Sequence, residues 1–228
     1  FTPTGQPIVD EGTLVTVEGI PEANLIAEYL LLQKRIAQIA SWIDAVKEDG
    51  RVHGFVIHNG TITGRMTHRN PNMAQVPNIG AKYGKECRGF WVVDEGNKLV
   101  GIDASQLELR LLAHYMNDEE YTYEITKGDI HTHNQNLAGL KSRDEAKVFI
   151  YALCYGAGNQ RLGTLVGGNA GRGKELRKRF FGSQPAFATL TDKVQRASKK
   201  GYLKGVDGRK LYVRSEHSAL NTLIQGAG

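Results

Sequence analysis

The sequence predicts an α/β fold, with short antiparallel hairpins followed by a mainly helical region, and three observations carry that expectation. Residues 22 to 46, "EANLIAEYLLLQKRIAQIASWIDAV", set Leu25, Ile26, Tyr29, Leu32, Ile36 and Ile39 at helical spacing, which predicts one long amphipathic helix. Short β-rich runs flank turn residues at "RVHGFVIHNGTITGR" and again at "RGFWVV", "DEGN", "KLVGID". After Asp103 the apolar spacing is mainly helical, interrupted by glycines at 156, 158, 163, 167, 168, 171 and 173.

Taken in order, the first hairpin is expected to turn at Asn59-Gly60, a dipeptide that favours the left-handed conformations of a tight turn. "TGRMTHRNPNMAQVPN" follows as mostly loop. The second hairpin turns at "DEGN", and its outgoing strand delivers Asp103 to a strand end. Ser105 and Glu108 then match the S-x-x-E capping box of a helix carrying Leu107, Leu111, Leu112 and Tyr115. Ser142 and Glu145 match the same box ahead of "KVFIYALCYGAG". The close, "SEHSALNTLIQGAG", sets Leu220, Leu223, Ile224 and Ala227 on one face with no stop signal after it, which reads as a helix interrupted.

Composition narrows the function classes. The chain has 228 residues and 40% hydrophobic composition, enough for one or two domains with a core. Its two cysteines, Cys87 and Cys154, form no Cys-x-x-Cys pair, so neither a disulfide framework nor a zinc site is indicated. No apolar stretch approaches the ~20 residues of a membrane span, and the opening "FTPTGQPIVDEG" lacks a signal peptide's charge and apolar core. A cytoplasmic setting without membrane attachment is the expectation. The net charge of +5 is uneven: residues 159 to 228 hold 14 Lys and Arg against 4 Asp and Glu. Such an excess fits a polyanion partner, and equally a solvated helix face that binds nothing.

Several residues can carry chemistry. A carboxylate at a strand end, as expected for Asp103, can hold a hard cation through oxygen, although acids there more often serve turns and caps. Arg143, Lys147 and Tyr151 recur at i, i+4 and i+8 on one helix face. Two cations one turn apart can span neighbouring phosphates, and a ring at the next turn can stack on a sugar or base. His131 in "GDIHT" stands just ahead, where it can donate to a phosphate, though a lone histidine is usually structural. "GNAGRGKE" matches most of the phosphate-loop pattern, but Glu175 stands where a hydroxyl is required. Those glycines are therefore expected to form a turn before "KELRKRFF".

The blocks "TGRMTHRNPNMAQVPN", "VGIDASQLELRLLAH", "GDIHT", "RDEAKVFIYALCYGAG" and "GRKLYVRSEHSALNTLIQGAG", in that order, resemble the family A DNA polymerases, and most of all their phage replicative branch. The resemblance is dense from Asp49 to Gly228 and looser over residues 1 to 48. It implies an incomplete right-hand polymerase fold: the end of a thumb-like helical segment at 1–50, the first part of an antiparallel palm sheet at 51–116, helical fingers at 117–215 and a second palm part from 216. It implies that Asp103, with the Ala104 carbonyl, holds two magnesium ions, and that Glu108 packs under the incoming sugar and excludes a 2′-hydroxyl. His131, Arg143 and Lys147 match the triphosphate grip, Tyr151 the aromatic at the sugar and base, and Tyr155 the residue beside the templating base. Arg65, Gln75, Asn221 and Gln225 fall where the family touches primer and template, and His217 carries the phage branch's histidine.

The implied reaction is template-directed transfer of deoxynucleotides to a primer 3′-hydroxyl in viral DNA replication. Its partners would be primer–template DNA and deoxynucleoside triphosphates. The family's second catalytic aspartate sits in a His-Asp-Glu block that has no match among these residues, since "GDIHT" and "SEHSA" do not form it. A second chain, or a C-terminal part outside this sequence, is expected to supply it. Two other readings stay open: one subunit of a split polymerase, and a noncatalytic nucleic-acid-binding module. Glutamate at 108 argues against the related single-subunit RNA polymerases, in which a small residue is expected.

Overall fold

The long helix forms as α2, Pro21–Asp44, after a one-turn α1, Glu11–Leu14. Proline at the first helical position and Glu22 in the first turn suit the exposed N–H groups and positive end of the helix dipole. The buried line of α2 is Ala23, Ala27, Leu31 and Trp42, while Leu25, Tyr29 and Ile36 are exposed. Apolar residues lie on more than one face of this helix, so their spacing predicts the helix without choosing the face that packs. The computed structural model describes residues 5–7, 9–17 and 19–228. Residues 1–4, 8 and 18 of the expected thumb-like segment lie outside that description.

The described chain is mixed α/β and divides into two compact units. The first takes the residues up to Ile57 with Thr67–Val100. Besides α1 and α2 it holds strands β1, Phe55–Ile57, and β2, Thr67–Arg69, and helix α3, Gly84–Gly89. Trp42 meets Trp91 edge-on at 5.2 Å between ring centroids, and Arg51 forms an ion pair with Asp94.

Both hairpin expectations for this region need correction. β1 pairs antiparallel with β2, Phe55 opposite Arg69 and Ile57 opposite Thr67, so the returning strand lies in the segment expected to be loop. The turn after Asn59-Gly60 is taken up instead by Thr61, whose Oγ1 accepts from the Arg65 N–H at 2.9 Å. No second hairpin ladder forms at 91–103. Only a turn survives there, the Asn97 N–H donating to the Asp94 carbonyl at 3.0 Å. Val92, Leu99, Val100 and Ile102 are all more than 75% exposed, so apart from Trp91 these runs share little packed surface, and a two-stranded ribbon without a buried face is marginal in water.

The second unit comprises His58–Met66 and Gly101–Gly228. Its helices are α4 (Leu107–Met116), α5 (Glu119–Thr126), α6 (Ile130–Ala138), α7 (Arg143–Cys154), α8 (Asn159–Thr164), α9 (Ala170–Ser183), α10 (Pro185–Ser198) and α11 (Ala219–Gln225). Strands β3, Tyr202–Lys204, and β4, Lys210–Tyr212, pair antiparallel with Leu203 opposite Leu211. The core gathers Leu109 and Leu112 of α4, Phe149, Ile150 and Leu153 of α7, Phe180 of α9, Phe187 of α10 and Ile224 of α11.

The glycines of "GNAGRGKE" do not make the expected turn; most lie within α9, capped by Asn169, whose Oδ1 accepts from the Arg172 N–H at 3.1 Å. A Cβ on Gly173 would stand 1.9 Å from the Asn159 carbonyl, and one on Gly163 only 1.8 Å from that of Asn169. They are glycines because α8 and α9 touch through their backbones there. Glu175 pairs with Arg172 at 2.9 Å. Among the described residues no helix is long and apolar enough to cross a membrane.

Candidate active site

Helix α7 is the spine of the site. Its N-cap Ser142 accepts from the Glu145 N–H at 3.2 Å, and Glu145 reaches back to the Lys141 N–H at 3.0 Å, one residue before the partner a full capping box would take. Ala146, Phe149, Ile150, Leu153 and Cys154 are buried on one side. Arg143 and Lys147 are exposed on another, with the Tyr151 and Tyr155 rings following at 6.3 Å from each other. Lys147, Tyr151 and Tyr155, with Arg161 from α8, line an open groove of about 730 Å³.

Helix α6 adds His131, which is 4% exposed, with its ring 6.5 Å from that of Tyr151. Its Nδ1 is buried without a partner. Burial first, and the nearby Arg143 charge second, hold His131 below the usual imidazole range, so the neutral ring is favoured. Asp129 caps α6 through the His131 N–H at 3.1 Å, accepts from Thr132 Oγ1 at 2.8 Å and takes Arg143 Nε at 2.7 Å. The Arg143 guanidinium is the main reason its carboxyl sits well below the ordinary carboxylate range.

The Ser105–Glu108 capping box does not form. Gln106 occupies the N-cap of α4 in a left-handed conformation, φ 56°, and no side chain caps the helix. Freed of that task, Glu108 accepts from Arg65 Nη2 at 3.0 Å and from the Tyr155 hydroxyl at 2.6 Å, its side chain only 16% exposed. Burial, then donation to Glu108, push the Tyr155 phenol up to about 12, with the Gln225 side chain acting the other way. Tyr151 is raised by burial and then by the Glu108 charge. One carboxylate thus ties the loop carrying Arg65 to the end of α7. Arg209 secures that loop by donating to the Thr63 carbonyl at 2.9 Å and the Gly226 carbonyl at 2.7 Å.

The second unit therefore brings together Arg65, Glu108, His131, Arg143, Lys147, Tyr151, Tyr155 and Gln225 through these contacts. His217 is exposed in a short turn at Glu216–Ser218 and lines, with Cys154, Arg177 and Leu220, a separate cavity of about 310 Å³. Asn221 on α11 keeps its Oδ1 buried and unpartnered. Gln75 belongs to the first unit, where its carbonyl accepts from Gln38 Nε2 at 2.9 Å.

Asp103 is exposed in the irregular run 101–104, not at a strand end, because the ladder that would have carried it is absent. The Ala104 carbonyl accepts from the Leu107 N–H at 3.3 Å. Both offer hard oxygen donors of the kind magnesium takes. No group of three or more His, Cys, Asp or Glu able to hold a metal occurs among the described residues. Sequence reasoning missed two groups here, Arg161 in the groove and Asp129 as the partner of Arg143. An acid just before an apolar helix start signals the cap at Asp129, whereas its ion pair depends on tertiary structure.

The sequence model described as DNA polymerase family A matches residues 1–228. The DNA-directed DNA polymerase of Enterobacteria phage T3 is 45% identical over all of this chain and 37% of its own length. That of Escherichia phage T7 is 44% identical, with the same coverage. The chain thus spans well under half the length of these relatives. Among solved structures, the POL domain of Pol1 from M. smegmatis, in complex with DNA primer-template and dNTP, superposes with a TM-score of 0.75 at 24% identity, covering 90% of this chain and 39% of that one.

Proposed function

The chain belongs to DNA polymerase family A, and from that premise we propose that it is the nucleotide-gripping, template-reading part of a phage-type replicative polymerase. On this reading residues 1–50 end a thumb-like segment, 51–116 begin the palm, 117–215 form the fingers and 216–228 start the second palm part. Its substrates are deoxynucleoside triphosphates and primer–template DNA, and the reaction adds a nucleotide to the primer 3′-hydroxyl.

The observation that carries the proposal is the groove along α7, where Lys147, Tyr151 and Tyr155 stand in line, with Arg143 one turn before Lys147 and His131 beside Tyr151. Arg143 and Lys147 bind the triphosphate, and neutral His131 donates one hydrogen bond to it. Tyr151 stacks at the sugar and base. Glu108, held by Arg65 and Tyr155, fills the space beneath the sugar and leaves no room for a 2′-hydroxyl. Tyr155, Asn221, Gln225, Arg65 and His217 of the second unit, and separately Gln75 of the first, are assigned to primer and template.

Asp103 and the Ala104 carbonyl would hold magnesium, which when bound supplies the charge neutralisation that phosphoryl transfer requires. Both are oxygen donors and they lie just ahead of Glu108 in the chain. One carboxylate and one carbonyl are too few for a metal pair, so the second carboxylate is assigned to a part of the polymerase other than these 228 residues.

The test is equilibrium binding of dATP with magnesium to the chain. Lys147→Ala and Tyr151→Ala are each expected to weaken it about tenfold or more, as loss of one charged or stacking contact does. Equal binding by wild type and both variants contradicts the assignment.

A further inference from the structure

We propose that Asp129 is a positioning residue for the triphosphate grip, holding Arg143 by its Nε so that the two terminal amino groups of the guanidinium stay free for phosphate. The inference rests on the nucleotide reading of the α7 groove and deepens it.

The Asp129 side chain has three partners on two helices. Oδ1 accepts from the His131 N–H at 3.1 Å, fixing the first turn of α6. Oδ2 accepts from Thr132 Oγ1 at 2.8 Å and from Arg143 Nε at 2.7 Å. One side chain thereby ties the start of the helix that carries His131 to the start of the helix that carries Arg143 and Lys147.

The atom used on arginine decides between two roles. A carboxylate that merely occupied Arg143 until an anion displaced it would take the terminal amino groups in a bidentate fork, the geometry phosphate also wants. Here the contact is to Nε alone, and the Arg143 guanidinium makes no other hydrogen bond among the described residues. A phosphate can therefore bind at the end of the guanidinium while Asp129 keeps its hold at the side. A half-exposed arginine otherwise samples many rotamers, and binding must freeze them. With Arg143 50% exposed and Asp129 43%, the restraint is a moderate one.

Asp129→Asn separates this role from helix capping, because asparagine caps an N-terminus as well as aspartate but cannot hold the cation with a charge. The experiment is isothermal titration of the 228-residue chain with inorganic tripolyphosphate, without divalent metal, on wild type, Asp129→Asn, Arg143→Gln and the double variant. Circular dichroism confirms that each is folded. Asp129→Asn is expected to weaken binding about fivefold and to have no further effect once Arg143 is glutamine. If Arg143→Gln weakens binding while Asp129→Asn leaves it unchanged or tightens it, the positioning role is overturned and the groove reading stands. An effect of Asp129→Asn that persists in full without Arg143 also overturns the role, since it then acts through something else. If wild type fails to bind tripolyphosphate, or Arg143→Gln changes nothing, the groove reading falls and this inference with it.

Discussion

Replacing Glu108 by alanine removes a group on which three elements converge. Glu108 sits in the first turn of α4, which no side chain caps, so it is that helix's acidic contribution at the positive end of the dipole. Its two oxygens accept from Arg65 at 3.0 Å and Tyr155 at 2.6 Å with the carboxylate largely buried. A hydrogen bond to a charged acceptor contributes about 1.5 to 3 kcal/mol. The pair with Arg65, which is 43% exposed, adds no more than ~1 kcal/mol. Alanine returns about half a kilocalorie in helix propensity. The net loss is about 2 to 3 kcal/mol, a fall in Tm of roughly 5 to 10 °C for a chain of this length. Thermal unfolding followed at 222 nm measures it. The phenol gives a second readout, because Tyr155, pushed up to about 12 largely by burial and by Glu108, should ionise at lower pH in the variant. Stability linked to this group is present below the unfolded tyrosine value of about 10 and is lost as pH rises toward about 12 in the wild type. An alkaline limb equally steep in both proteins, with Tm shifted by less than about 1 °C, would refute the triad.

Gly173→Ala should destabilise by more than about 2 kcal/mol, because its Cβ would stand 1.9 Å from a carbonyl oxygen and the α8–α9 contact must open; urea unfolding reads the loss. The lowered Asp129 carboxyl contributes stability that is present above the unfolded aspartate value and lost as pH falls through the folded one, so Asp129→Asn should flatten the acid limb of an unfolding-versus-pH curve. Buried Cys154, its thiol pushed up to about 12, should resist iodoacetamide at pH 8 in the folded chain and react once urea unfolds it, with mass spectrometry counting the adducts.

What the sequence disclosed depended on whether local spacing or tertiary contact decided the outcome. The cationic and aromatic line on α7 is set by helical periodicity alone, so Arg143, Lys147 and Tyr151 were legible as a face. α2 was legible as a helix but not in orientation, since Ala23 and Ala27 pack while larger apolar residues face outward. The capping box at Ser105 failed because Gln106 takes a left-handed conformation, which redirects Glu108 to Arg65 and Tyr155, partners 43 and 47 residues away in sequence. Nothing local announces such contacts. The strand expected to end at Asp103 failed for a related reason: a β-rich run specifies a strand only when a partner and a packed face are available, and Val100 and Ile102 have neither among the described residues.

The most direct test of the central claim is the chain's affinity for a fluorescently labelled primer–template ending in a dideoxynucleotide, measured by anisotropy with magnesium and each of the four dNTPs in turn. The dNTP complementary to the next template base is expected to tighten binding, and Lys147→Ala and Tyr151→Ala to abolish this preference while leaving the affinity for DNA alone nearly unchanged. Equal affinity with all four nucleotides would contradict the claim.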